Sequence, residues 1–436
     1  MNKFNLLQRH SALSKILPPW FRGTIFSARF VSTSFATGDP RTQTIWSKKV
    51  FVYALKNMAL TPLMGKDNNS LIHVNQRLTE VPGDTVIFKA KFPLSGAGQG
   101  DGGTVTGNEE ALKRRNMSLV VHERAHGVVS DGPISEQRTD TVIRPDARDD
   151  LGDWYSEALE NDLITAGAGL YNENSSGAAI ETINESYPTS DRIYYGGQTA
   201  AGALGNSGVS YATDALLTAG TQASNLMGTV LLSAIRRRAL AAVPRFRPVN
   251  IMDISKINPD DVRKGVSGPM VGKFFLVLMH PYQIKAVKAE TGATGWAQMT
   301  AAAQVRGNLN PIFSGASFMW DGMIVWEYDR IPIRTGANGT TLAEGFLLNA
   351  GRTATTDACA NGRSVCRALL LGAQALCFGW AKRLTWHEDL VDARKAQVIV
   401  DCIYGVKRTN FNAHGTTTPG SDEAIYCMDT EVLVDA

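Results

Sequence analysis

The chain is short of most features that would point to a chemical job. It has five cysteines, Cys359, Cys366, Cys377, Cys402 and Cys427, and no Cys-x-x-Cys spacing. An odd, scattered set excludes a zinc ribbon and a disulfide framework and fits a reducing compartment. No apolar run approaches the roughly 18 residues needed to cross a bilayer, so no membrane partner is expected. Charge is sparse, at 19% of residues, and nearly balanced, at +3. Such a balance does not suit a dedicated nucleic-acid binder and leaves little repulsion between copies. Acidic residues are missing altogether before Asp39, where Lys3, Arg9, Lys15, Arg22 and Arg29 lie among serines. That composition reads either as an organellar transit segment or as a basic extension. No internal repeat of 20–50 residues is found.

What remains is a chain of 436 residues, 44% of them hydrophobic, enough for two or three domains or one elaborated domain with a sizeable core. Its organising stretch is residues 84–164. Val86, Phe88, Ala90 and Phe92 alternate with Thr85, Ile87, Lys89 and Lys91, the pattern of a half-buried strand. Then come five glycines in nine residues, Ser95 to Gly103. This tract has no side chains to pack and must be mobile or shaped by a partner. A second strand is expected from Met117 to Val129, so that a long two-stranded arm precedes a helical pattern from Ser135 to Leu163. Pro145 splits that pattern, because it lacks an N–H and restricts Arg144, so the helix is expected either to bend there or to start late. Beyond it, Ala147, Leu151, Trp154, Tyr155, Ala158, Leu159 and Leu163 form one stripe, and Asp146, Asp149, Asp150, Asp153 and Glu160 fall mostly off it. Ala166 to Gly169 ends the helix.

Elsewhere a helix is expected at 42–59. The Gly-, Ala- and Ser-rich residues 167–215 read as surface loop. A helix follows at 216–243, with Leu226, Val230, Leu231, Ala234 and Leu240 as its apolar stripe. Strands are expected at Phe274–Met279, Met323–Tyr328 and Gln397–Tyr404. His280-Pro281 punctuates the first of these before a helix at Tyr282–Ala289. Ala368–Trp380 is apolar enough for a strand pair or a buried segment. Helices and strands intermix without strict βαβ alternation, which is an α+β pattern.

Several motifs match catalytic signatures by letter only. His122-Glu123-Arg-Ala-His126 has the spacing of a zinc peptidase, in which two histidines one helical turn apart bind the metal and the glutamate activates water. Here β-branched residues surround it, and on a strand Glu123 faces away from both histidines. Gly98-x-Gly100-x-x-Gly103 follows a strand but opens no helix, so it is not a dinucleotide loop. Residues Gly268 to Lys273 lack the spacing of a phosphate loop. Cys377, between Leu376 and Phe378, is a core thiol rather than a nucleophile. Asp140 and Asp146–Asp153, spread around a helix, make a solvated face. Arg236-Arg-Arg238 points in three directions and suits either phosphates or a neighbouring subunit. Trp296, Trp320, Trp326, Trp380 and Trp386 are core or interface anchors. No convergent catalytic set appears, and neither an enzyme activity nor a cofactor or metal is expected.

The order of several segments, none of them catalytic, carries a resemblance. These are Phe88–Gly107 with its Gly-x-Gly-x-Gly-Asp tract, Ile134-Ser-Glu-Gln-Arg138 leading into Leu151-Gly-Asp-Trp154, His280-Pro-Tyr-Gln283, Arg306 to Phe313 with Gly315-Ala316, and Leu371-Gly-Ala-Gln-Ala375. Over residues 36–436 the chain resembles the major capsid proteins of tailed bacteriophages, and a family close to those of N-four-like podophages. The resemblance implies an α+β, HK97-type fold. A basic extension (1–41) and a helical N-terminal arm (42–83) would precede an extended β-hairpin loop (84–131). Residues 132–215 would be a peripheral domain with a long spine helix, 216–390 mainly an axial domain, and 391–436 strands returning to the peripheral domain. Gly96, Gly98, Gly100, Asp101, Gly102 and Gly103 would reach a neighbouring copy, and Leu151, Trp154, Tyr155 and Leu159 would pack the spine helix. The implied role is a non-catalytic shell subunit that assembles as pentamers and hexamers in the host cytoplasm and resides in the virion. Implied partners are a separate scaffolding protein, a portal, a decoration protein and, non-specifically, packaged double-stranded DNA. An encapsulin-like compartment of the same fold is the alternative. The basic first 38 residues and Pro145 depart from the family pattern.

Overall fold

The computed structural model describes residues 40–67, 69–79, 82–91, 98–101, 103–107, 109–110, 114–131, 138, 143–169, 182, 192–196, 225–242, 246–250, 273–290, 318–331, 333–335, 340–341, 363–391, 395–412, 420 and 422–433. In chain order these give helix α1 (Pro40–Asn57), strands β1 (Met64–Gly65), β2 (Ile72–Asn75), β3 (Thr85–Lys91), β4 (Arg114–Val120) and β5 (His122–Val129), and helix α2 (Ile143–Ala168). Next come β6 (Ile193–Tyr195), α3 (Thr229–Ala241), β7 (Val249–Asn250), β8 (Lys273–Met279) and α4 (Pro281–Lys288). The remaining strands are β9 (Phe318–Trp320), β10 (Met323–Glu327), β11 (Ile333–Thr335), β12 (Thr340–Thr341), β13 (Ser364–Leu371), β14 (Leu376–Val391), β15 (Lys395–Arg408) and β16 (Ile425–Val432). Among the described residues no helix is long and apolar enough to cross a membrane.

Among the described residues three sheets result. A five-stranded sheet has the order β1-β2-β14-β15-β5. A nine-stranded sheet follows β12-β11-β13-β8-β10-β9, with β16, β6 and β7 attached beside it, and β3 pairs with β4 alone. The antiparallel hairpin β14–β15 is the spine of the smaller sheet. Helices α1 and α2 cover one face of it. Val50 and Ala54 of α1 and Leu151, Tyr155 and Leu159 of α2 pack on Trp380, Trp386, Val400 and Tyr404. Gly152 lets the helices touch, since a Cβ there would lie 2.6 Å from the Tyr53 ring.

Every residue of β13 is buried. Leu369 and Leu371 belong to the first core, whereas Ala368 and Leu370 join a second one with Leu232 and Ile235 of α3 and Ile284 and Val287 of α4. A strand covered on both faces has no polar alternation, which is why this stretch reads as a continuous apolar run. The chain crosses between the two large sheets in the four residues Gly372–Ala375. A Cβ on Gly372 would meet the Arg247 carbonyl at 2.5 Å, and Gln374 takes the left-handed conformation, φ 60°.

Several expectations are corrected. Pro145 lies in the first turn of α2, where its missing N–H has no helical partner to lose, so it starts the helix and does not bend it. The pattern expected from Ser135 falls largely outside the described residues. Residues 167–215 are not all surface loop, because β6 lies buried and parallel against β16. Helix α3 starts at Thr229, and its apolar stripe is met in part: Leu231 and Ala234 are buried as expected, with Leu232, Ile235 and Ala239, but Val230 and Leu240 are 39% and 52% exposed. The last strands do not stay together. β15 joins the five-stranded sheet and β16, wholly buried, joins the nine-stranded one.

Candidate assembly arm and its seat

Alternation on β3 and β4 builds an amphipathic ribbon. The register runs from Thr85↔Val120 to Lys91↔Arg114. Val86, Phe88, Met117 and Leu119 turn inward and are buried with Cys377 and Phe411 on the face of the five-stranded sheet away from α2. Ile87, on the other side, is 54% exposed. Gly379 permits the close seating, because a Cβ there would stand 2.8 Å from Leu119 Cδ2 and 3.1 Å from Val86 Cγ2.

Polar bonds pin the root. Val121 N donates to Asp84 O (2.9 Å), Asn412 N to Asn116 O (3.0 Å) and Lys407 Nζ to Ser118 O (3.2 Å). Arg115 pairs with Glu423 and lies over the Phe411 ring at 5.7 Å. Burial pushes the Glu423 carboxyl above its usual range, and the Arg115, Arg247 and Arg192 charges oppose the shift. Burial also raises the Cys377 thiol to about 12, the property of an inert core thiol.

Beyond the pair Lys91↔Arg114, three described glycines stand clear. A Cβ added at Gly98, Gly100 or Gly107 would meet nothing within 4 Å. Gly98 and Gly107 have positive φ (76° and 91°), and Gly103 N donates to Gly100 O at 3.0 Å, closing a turn. Asp101 is exposed, and Val105 is 63% exposed. Gly96 and Gly102 fall outside the described residues.

The expected single strand from Met117 to Val129 is two strands. At Val121 the backbone leaves β3 and takes up β15, so the ribbon ends at Val120 and β5 belongs to the five-stranded sheet. His122, Glu123 and His126 therefore sit on a strand. His126 stacks on Trp154 of α2, with ring centroids 4.6 Å apart, and alternation turns Glu123 to the opposite face. Arg124 reaches the buried Asp162 and donates to the Tyr404 hydroxyl at 3.1 Å. Burial works against the Arg124 charge, yet attraction to Asp162 prevails and its pKa rises. Thr182 donates to the same carboxylate at 2.8 Å.

Leu151, Tyr155 and Leu159 are buried, and Trp154 is half-buried under His126 and Arg124. The α2 C-terminus is held by Arg367, which donates to the Ala168 carbonyl (2.8 Å) and forms a two-pronged, fully buried bond to Asp429 (2.7 and 2.6 Å). A cation on the last carbonyls suits the helix dipole. The arginines of α3 separate as three neighbours must. Arg236 pairs with Asp321 (2.6 Å), Arg238 bonds the Tyr194 hydroxyl (2.6 Å), and Arg237 is exposed. Two of the three are thus used inside the chain. Sequence reasoning missed Asp162, Glu160, Arg367 and Asp429 as buried charges. On a sequence they carry no mark that separates them from solvated ones.

A family profile described as phage capsid protein matches residues 34–434. The major capsid protein of Pseudomonas phage KPP25 is 22% identical over 366 residues, 83% of this chain and 87% of that one. Among solved structures, the capsid of Ralstonia phage GP4 is similar at TM-score 0.62 and 21% identity, covering 93% of this chain and 99% of that one. The capsid of cyanophage Pam1 is similar at TM-score 0.60 and 18% identity, covering 87% and 94%. At these identities the likeness carries the fold, which is HK97-type.

Proposed function

The chain belongs to the phage capsid protein family, and on that premise we propose that the ribbon β3–β4 is the grip by which one copy holds the next. It is a major capsid protein, a structural subunit that builds the phage shell with copies of itself, and capsid proteins are virion components. The observation that carries the grip is the shape of the arm. Its root is pinned by an ion pair and an apolar face, and at its described tip Gly98, Gly100 and Gly107 border open space. An exposed Val105 gains about 1.5 kcal/mol when a second copy covers it.

In this reading the five-stranded sheet with α1 and α2 is the peripheral body, α2 is the spine helix, and the nine-stranded sheet is the axial body that meets its copies around fivefold and sixfold axes. β16 goes with the axial body. Assembly takes place in the host cytoplasm, guided by a separate scaffolding protein, with portal, decoration protein and packaged DNA as further partners. Kinship with N-four-like podophage capsids belongs to the same proposal, and nucleic acid inside native particles separates it from a cargo compartment of the same fold.

Deleting Gly96–Gly103 tests the grip. The expected product is a soluble subunit that forms no closed shells by electron microscopy. Normal closed particles from the deletion would falsify it.

A further inference from the structure

A cavity of about 350 Å³ opens at the arm root, where three parts of the chain meet. Lys89 and Arg115 line it from the arm, Arg247 from the segment entering β7, Gln374 from the turn between β13 and β14, and Thr409 and Glu423 from the two ends of the β15–β16 connection. Among the described residues, three cationic residues and one acidic residue thus belong to the lining. Glu423 is already paired with Arg115. Neither Lys89 nor Arg247 forms an ion pair among the described residues, and both are exposed enough to turn toward an incoming group. The formal charges of the described lining residues therefore sum to +2, and the Arg247 charge already acts on the Glu423 carboxylate. Gln374, a non-glycine residue held at φ 60°, forms part of the wall. Backbone held this way persists where its surroundings over-determine it.

We propose that this cavity binds a phosphate-class dianion, which ties the arm to the body of the subunit. Guanidinium groups present forked donors that match phosphate oxygens, and Lys adds a compact third charge. The charge balance selects the ligand. A free phosphate or phosphomonoester carries two charges and neutralises the lining. A phosphodiester, as in a DNA backbone, carries one. A dianion bridging Lys89 and Arg115 to Arg247 joins the ribbon to the entrance of the nine-stranded sheet, so it restrains the angle at which the arm leaves.

The test uses the full-length chain. Binding of inorganic phosphate is measured by calorimetry, and proteolytic cleavage of the arm is timed in phosphate and in chloride of equal ionic strength. Dimethyl phosphate and a short DNA duplex serve as the monoanionic diester probes. Phosphate is expected to bind and to slow cleavage, and both diester probes to do neither. Arg247→Ser, which removes an exposed side chain and leaves the core intact, is expected to weaken phosphate binding about tenfold or more. Lys89→Gln acts in the same direction, and Arg237→Ser, on the exposed side of α3, leaves binding unchanged. The site is refuted if phosphate acts no better than chloride, if Arg247→Ser binds as the parent does, or if the diesters are as effective. None of these readouts requires the arm to grip a neighbour, so their outcome is independent of whether closed shells form.

Discussion

Gly379 and His280 show how single side chains set the geometry. The arm reaches its seat because Gly379 presents only backbone to Leu119 and Val86. Gly379→Val fills that space and is expected to destabilise the subunit by about 1–3 kcal/mol, read as a lower denaturation midpoint. His280 caps α4: its Nδ1 accepts from Tyr282 N (3.2 Å) and its own N–H donates to Gln283 Oε1 (3.2 Å). Burial lowers its pKa from 6.5 to about 4, against the raising effect of Asp329. A histidine with a depressed folded pKa binds its proton more readily when unfolded. Its contribution is thus complete above about pH 6.5 and is lost progressively as pH falls toward 4. Protonation at Nδ1 would also remove the cap's acceptor. Melting the subunit at pH 7.5 and pH 5 should show this loss, and His280→Asn, which caps without titrating, should flatten it. An equal pH dependence in both proteins removes the assignment. The strand setting of His122, Glu123 and His126 was legible from the β-branched residues around them. The stack of His126 on Trp154 was not, because it joins elements with no pattern in common.

Among the elements, α2 is the best foreseen and the most instructive in its errors. Its apolar stripe could be read directly from the spacing of Leu151, Tyr155, Leu159 and Leu163. Its start stays open on the sequence, because a proline marks either a break or a first turn and local sequence does not distinguish them. On α3 the expected stripe holds in part: Leu231 and Ala234 are buried, but Val230 and Leu240 are exposed, because equally apolar neighbours are told apart only by the sheet beneath. Asp162 lies inside the α2 stripe and was invisible as a buried charge. Its partner Arg124 comes from β5, so the pair exists only in three dimensions. Arg124→Met leaves Asp162 buried without its cation and should cost about 3–5 kcal/mol in denaturant titration. Adding Asp162→Leu should recover most of that loss. If the double variant is as unstable as the single, the ion pair is not what Arg124 contributes.

For the whole molecule, the α+β class and the major strands were readable from periodicity, whereas sheet membership was not. β13 and β14 are four residues apart and lie in different sheets, and β15 and β16 likewise separate. Strand pairing is set by partners far away in sequence, for which alternation holds no address. The sequence leads one to expect an outward-reaching arm because glycines cannot anchor a tip. Its root was foreseen too long, because β4 and β5 join through Val121 alone with no turn residue to mark the change. The exposed apolar tip yields a prediction that separates folding from association. Val105→Asp should leave the melting temperature of the isolated subunit unchanged and lower the yield of closed shells. A matching loss of subunit stability would place Val105 in the core of its own chain.

The direct passage from β4 into β5 has a mechanical meaning. A pull on the arm enters β5 at its end, through the single residue Val121. Eight residue pairs join β5 to β15, from His122↔Tyr404 to Val129↔Gln397. Force applied along that ladder loads the eight pairs together in shear, where a peeling force would open them one after another. On the proposed grip, a shell under outward tension would therefore draw on the whole seam at once.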